Sequence, residues 1–178
     1  MKKIKRLPWI FLKSTLFTFL ASIAIAFVVG IRINTTNSVA GKIWVVTDKK
    51  EPSTGDVVSF CPPPSHPAFK MARERHYLAA GFCPGGYQPV IKKVMAKAGD
   101  TISINEKGIF VNGNFLSKSK PKKHDNLGKI LPNYKLENFV LKDGMLLLIG
   151  DNSENSFDAR YFGIIDSIQV QNVLKLLI

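Results

Sequence analysis

The chain has 178 residues, enough for one domain of ordinary size with a hydrophobic core plus one further segment. Its formal charge of +12 points to a nucleic acid, an anionic lipid surface or an acidic substrate. Nucleic acid is set aside as a partner, because there is no zinc-knuckle spacing, no aromatic RNP-like run and no basic heptad region.

Residues 1–13 carry Lys2, Lys3, Lys5, Arg6 and Lys13 and no acid, and residues 14–31 then run without a charge. At ~1.5 Å per residue that run gives roughly 27 Å of helix, close to the ~30 Å hydrocarbon core of a bilayer. The basic flank precedes the span. The positive-inside rule therefore predicts a cytoplasmic basic segment at 1–13, a single-pass anchor at 14–31 and an exported domain at 32–178. A cleavable signal peptide is the competing reading, with Ser38-Val39-Ala40 as a small-x-small site. The apolar run exceeds the ~7–15 residues usual for a signal h-region, which favours the anchor. Either way the body of the chain leaves the cytoplasm. A Cys61–Cys83 disulfide is then expected, with two buried free thiols as the alternative.

The exported part reads as β-rich. Residues 42–47 form a β-branched and aromatic run, 51–56 carry turn chemistry and 57–60 a short strand. Four prolines in residues 61–67 exclude regular structure there. Residues 68–80 are the best soluble helix candidate, and 81–89 read as loop. Residues 90–96 are a strand ended by Gly99-Asp100. Residues 101–105 and 109–112 read as a hairpin around Glu106-Lys107-Gly108, with a second tight turn at Asn112-Gly113. Residues 117–130 are polar and basic and read as a solvent loop. Val140-Leu141 and residues 145–149 flank a turn at Asp143-Gly144. Residues 168–178 are apolar, with no clear preference between helix and strand. The predicted fold class is mainly β: a transmembrane helix followed by a small antiparallel β domain.

Ser38 lies seven residues past Ile31. At about 3.3–3.6 Å per extended residue it stays within roughly 25 Å of the span. Taken alone, a serine in NTTNS is a turn or capping residue. The strand at 90–96 changes its weight. Alternation puts Lys92 on one face with Val90, Val94 and Ala96, and Lys93 on the other with Ile91, Met95 and Lys97. Burial among small apolar neighbours can lower a lysine pKa by up to ~3–5 units, and a neutral amine can take a serine proton. The alternative is an edge strand from which both lysines reach solvent. Residues 150–163 (GDNSENSFDARYFG) follow an apolar strand and read as an ordered loop that positions something, or as a solvated loop. There Asp158 is placed to pair with Arg160, and Ser156 to bond inward. His66, His76 and His124 lack ligand spacing, so no metal or cofactor is expected. His76 reads as a helix-surface residue, and a Ser38–His pair is the weaker catalytic reading.

Three segments together resemble the signal peptidase I family of Ser–Lys proteases: NSVAGKIWVV, IKKVMAKAGD and GDNSENSFDARYFG. The resemblance implies that fold and serine endopeptidase activity, with Ser38 as nucleophile and Lys92 as general base. Lys93 then stands at the family's arginine position, Ser156 bonds the lysine, and Asp158 and Arg160 hold the geometry. The NTTNS, SFCPPP, ARERHYL and GFCPGGYQPVIKK segments, two of which contain Cys61 and Cys83, resemble the branch of the family that serves conjugative transfer. That branch implies a bacterial inner-membrane enzyme with a periplasmic catalytic domain. Its substrate is an exported precursor, a conjugative pilin that some members also cyclise, and its partners are membrane lipid and the conjugation machinery. The Ser38 N–H is expected as one oxyanion donor, and the substrate is expected to extend beside the Trp44 strand or the 90–96 strand. Val39-Ala40 stand where the family usually has Met-Pro, and Ser153 where it often has Arg. A general signal peptidase and a non-catalytic pilus or envelope assembly protein are the rival readings.

Overall fold

The computed structural model describes residues 7–178, so Lys2, Lys3, Lys5 and Arg6 of the expected cytoplasmic segment lie outside the described residues. In chain order the elements are α1 (Leu7–Val28), β1 (Ile31–Ile33), β2 (Ile43–Val46), β3 (Val57–Phe60), α2 (Pro67–Glu74), β4 (Ala80–Cys83), β5 (Val90–Ala96), β6 (Thr101–Asn105), β7 (Gly108–Val111), β8 (Asn114–Phe115), β9 (Leu136–Val140), β10 (Met145–Ile149), α3 (Ala159–Phe162), β11 (Ile165–Asp166) and β12 (Val170–Leu176).

Helix α1 begins before the charge-free run and ends before Ile31. Lys13 lies inside it, with its ammonium 4.4 Å over the Trp9 ring, so one cation does not end the helix. At the other end Gly30 takes a φ of +88° and turns the chain into β1. Phe11–Val28 has a mean hydropathy of 1.9 and none of it is buried. Among the described residues α1 is the one helix long and apolar enough to cross a membrane.

The remainder is mainly β, in two antiparallel sheets. The larger has the order β1-β2-β12-β3-β5-β10-β11 and the smaller β8-β7-β6-β9. Within the apolar 168–178 segment, Val170–Leu176 forms β12, inserted between β2 and β3, where Val173 and Leu174 are buried. The 101–112 hairpin forms as β6–β7, and Asn112 (φ +50°) with Gly113 (φ +78°) makes the next tight turn.

Two loop readings change. The helix expected over 68–80 stops at Glu74. His76 adopts φ +60° and donates its backbone N–H to Arg73, while the Tyr77 N–H reaches back to Ala72 at 2.7 Å. This is a Schellman ending with histidine in the left-handed position, so His76 ends the helix rather than decorating its surface. Part of 81–89 is not loop, because Ala80–Cys83 is strand β4. Cys61 and Cys83 are joined by a disulfide with Cα atoms 5.4 Å apart, closing the segment that carries α2.

Phe60, Phe69, Phe157 and Phe162 meet in one aromatic cluster, with Phe69 and Phe162 centroids 4.8 Å apart. It binds α2 and α3 to β3 and so ties the 150–163 segment to the main sheet; such pairs contribute about 0.5–1.5 kcal/mol each beyond area burial.

Candidate active site

Strand β5 buries alternate residues. Val90, Lys92, Val94 and Ala96 face the core, while Ile91, Lys93 and Met95 are half-buried. Lys92 is 4 % exposed and pairs in register with Val58, which is fully buried. No hydrogen bond or ion pair reaches its amine among the described residues. Burial pushes that amine down to about 8; Asp158 pulls it up and Arg160 adds to the fall. Lys93, one residue on, points the other way and bonds Asp151 at 2.8 Å at a partly exposed site.

Ser38 is 7 % exposed. The loop that carries it is set by Asn34, a buried residue whose side-chain amide donates to the carbonyls of Val39 (2.9 Å) and Gly41 (3.1 Å). The Asn34 Oδ1 accepts from the Thr36 N–H and hydroxyl, an Asx-type turn. The Thr36 Oγ1 in turn lies 2.8 Å from Ser38 Oγ and 3.4 Å from Ser38 N. Asn152 ties this loop to the 150–163 segment, its N–H donating to Ser38 O and its side chain to Asn37 O, both at 3.0 Å.

The 150–163 segment is built around a buried ion pair. Arg160 and Asp158 are fully buried and meet through two 2.7 Å hydrogen bonds in a fork. Burial opposes the Arg160 charge, but those bonds more than restore it and its pKa is raised. Asp158 also accepts the Gly150 N–H, and Arg160 donates to the carbonyls of Ser156, Glu154 and Lys118. The pair thus stitches three backbone stretches together and aims Ser156.

Ser156 Oγ is buried and has no partner among the described residues; the bond to the lysine amine expected from the sequence is not formed. It stands against Gly150, where an added Cβ would overlap Ser156 Oγ and come within 2.8 Å of Ser38 Cβ. Glycine is therefore required there for Ser38 and Ser156 to approach each other. Ser38, Lys92 and Ser156 line one cleft of about 460 Å³, together with Thr36, Tyr77 and Lys122. A buried, unpaired amine, a buried hydroxyl and an unsatisfied serine in one cleft are suited to proton transfer and nucleophilic attack.

The sequence reading missed Asn34, Thr36, Gly150 and Asn152. The turn-forming character of NTTNS was the available signal for the first two. The other two depend on contacts between segments more than one hundred residues apart.

The family profile described as "Signal peptidase, peptidase S26" matches residues 4–178. The chain is similar to a plasmid transfer protein TraF of Escherichia coli, 40% identical over 147 residues, covering 82% of this chain and 81% of the relative. It is also similar to a conjugal transfer protein TraF of Agrobacterium fabrum, 35% identical over 136 residues, 75% of this chain and 74% of the relative. Among solved structures, a signal peptidase I from Enterococcus faecalis matches with a TM-score of 0.40 and 24% identity, over 70% of this chain and 97% of that one.

Proposed function

The chain belongs to the signal peptidase family, peptidase S26, and from that premise we propose that it is a membrane-bound serine endopeptidase with Ser38 as nucleophile and Lys92 as general base. The observation that carries the reading is Lys92: a buried lysine, free of ion pairs, with its amine lowered to about 8, in the same cleft as a buried serine. Near neutral pH a usable fraction of that amine is unprotonated.

In the proposed reaction Ser38 Oγ attacks the scissile carbonyl as its proton passes to Lys92 Nζ. The lysine returns that proton to the leaving amine, and water then hydrolyses the acyl-enzyme. Ser156 Oγ, with its hydrogen-bonding capacity unspent, is available to accept from the amine once Lys92 has taken the serine proton. Oxyanion donors must lie beside the nucleophile, and each is worth about 3–4 kcal/mol. The Ser38 N–H is one, and the Thr36 hydroxyl, 2.8 Å from Ser38 Oγ, becomes the second when its proton turns from Asn34 Oδ1 to the oxyanion. The substrate strand runs along β5. Strand β2 is paired on both sides, through Trp44 with Arg32 and with Leu176, and has no edge to offer. Val90 and Ile91 pair with β3 alone, β10 beginning its pairing only at Lys93, and both line the cleft. An extended peptide adds there by β-augmentation.

The similarity to TraF proteins supports a conjugation role, and the apolar α1 supports membrane association. The rest of the reading is an exported pilin precursor as substrate, a periplasmic catalytic domain, and α1 as an inner-membrane anchor over Phe11–Val28 rather than the expected 14–31. Mass spectrometry of the candidate pilin in cells carrying wild-type or Ser38→Ala protein tests this. Loss of the mature product in the variant is expected, and the wild-type product reports the cut and any cyclic form. Normal maturation with Ser38→Ala would sink the reading.

A further inference from the structure

The basic segment at 117–130 plays no part in the mechanism above, yet it is built into the wall of the cleft. Read from sequence as a solvent loop, it is held at several backbone points. Ser119 is fully buried, and its hydroxyl accepts from the Ile109 N–H. Arg160 holds the Lys118 and Lys120 carbonyls, the Lys122 N–H donates to the Tyr161 hydroxyl, and Asp125 accepts from Tyr77 and lies 3.8 Å from Arg75. The backbone is preset, while the Lys120, Lys122 and Lys123 ammonium groups are left exposed.

These lysines converge on a second cavity of about 610 Å³. It adjoins the catalytic cleft, with Lys122, His124 and Leu131 lining both. Its one acid among the described residues is Glu106, already paired with Lys135 at 3.1 Å. Three lysines therefore line this cavity against one carboxylate, Glu106, whose charge acts on both Lys135 and Lys123; Lys122 turns its ammonium to Asn155 on the cleft side, and Leu131 and Pro132 are apolar lining.

We propose that the cavity lined by Lys120, Lys122 and Lys123 is a specificity subsite that binds an acidic side chain of the peptide held in the catalytic cleft. This rests on the peptidase reading above. A peptide is favoured over an anionic lipid because the cavity adjoins the cleft in which the scissile strand must lie. Exposed charges of this kind discriminate by attraction that salt screens.

The test measures binding apart from cleavage. Full-length Ser38→Ala protein in detergent is titrated with fluorescent alanine-rich dodecapeptides carrying one Asp at successive positions, each beside its Asn twin. Wild-type protein cleaves the same set. The expected result is that one or two positions favour Asp over Asn by about five- to tenfold. The ratio falls towards one in 0.5 M salt and in Lys120→Gln/Lys122→Gln/Lys123→Gln. The single variant Lys123→Glu, at an exposed position, should reduce it as well and guards against misfolding of the triple variant. Peptides that bind with Asp preference but are not cut by wild-type protein would defeat the peptidase reading and leave the subsite standing. Equal binding of Asp and Asn peptides at every position would overturn the subsite. So would a triple variant that keeps the Asp preference while losing association with phosphatidylglycerol vesicles, which would assign the lysines to lipid.

Discussion

Strand β5 and the 117–130 loop are both lysine-rich, and the same side chain has opposite physics in the two. On β5 the pleat turns Lys92 into the core beside Val58 of β3, on the same face as Val90 and Val94, where the charged form is costly. In the loop the backbone is hydrogen-bonded at several points while the Lys120, Lys122 and Lys123 side chains stay in water. Lysine becomes a base or a charge according to which part of the residue the fold buries. Arg160 is a third case: a buried cation kept charged because Asp158 meets it in a fork.

Substitutions break this contrast in graded ways. Lys92→Ala should lower kcat by about 10²–10⁴, the range for a positioned general base, while binding of an uncleaved peptide is retained. Asp158→Ala leaves Arg160 buried without its counter-ion and should cost about 3–5 kcal/mol of stability in urea unfolding. Lys92→Met should do the reverse. Lowering the amine from 10.5 to about 8 costs the fold about 3 kcal/mol below pH 8, because the unfolded chain binds the proton more tightly. The variant should be more stable at pH 7 by up to about that amount, and the advantage should shrink as pH rises from 8 to 10.5. Lys93→Ala, which removes a partly exposed pair with Asp151, should change stability by no more than about 1 kcal/mol and leave cleavage within a few-fold.

The contrast on β5 was legible because a strand has a period of two and needs no partner to be read. The hydropathy of α1 and the turn residues around β6–β7 were legible for the same local reason. His76 was not. A left-handed helix ending is signalled by glycine, and histidine holds that position only because the Schellman bonds and the packing of Tyr77 after it outweigh the local preference. The order of the large sheet was also hidden, since β12 comes last in the chain and sits in the middle. At the site, Ser38 and the 150–163 segment are joined by Asn152 and by the bare face of Gly150, contacts whose partners no local pattern names.

Burial, with a smaller push from Arg160, makes Lys92 a base near neutrality. The most direct test of this is an NMR titration of the Lys92 side-chain amine in the intact protein, with kcat/KM measured over the same pH range. A Lys92 midpoint near 8 is expected, with kcat/KM falling tenfold per unit below it and level above it. A Lys92 amine that stays protonated beyond pH 10 while cleavage proceeds at pH 7 would contradict it.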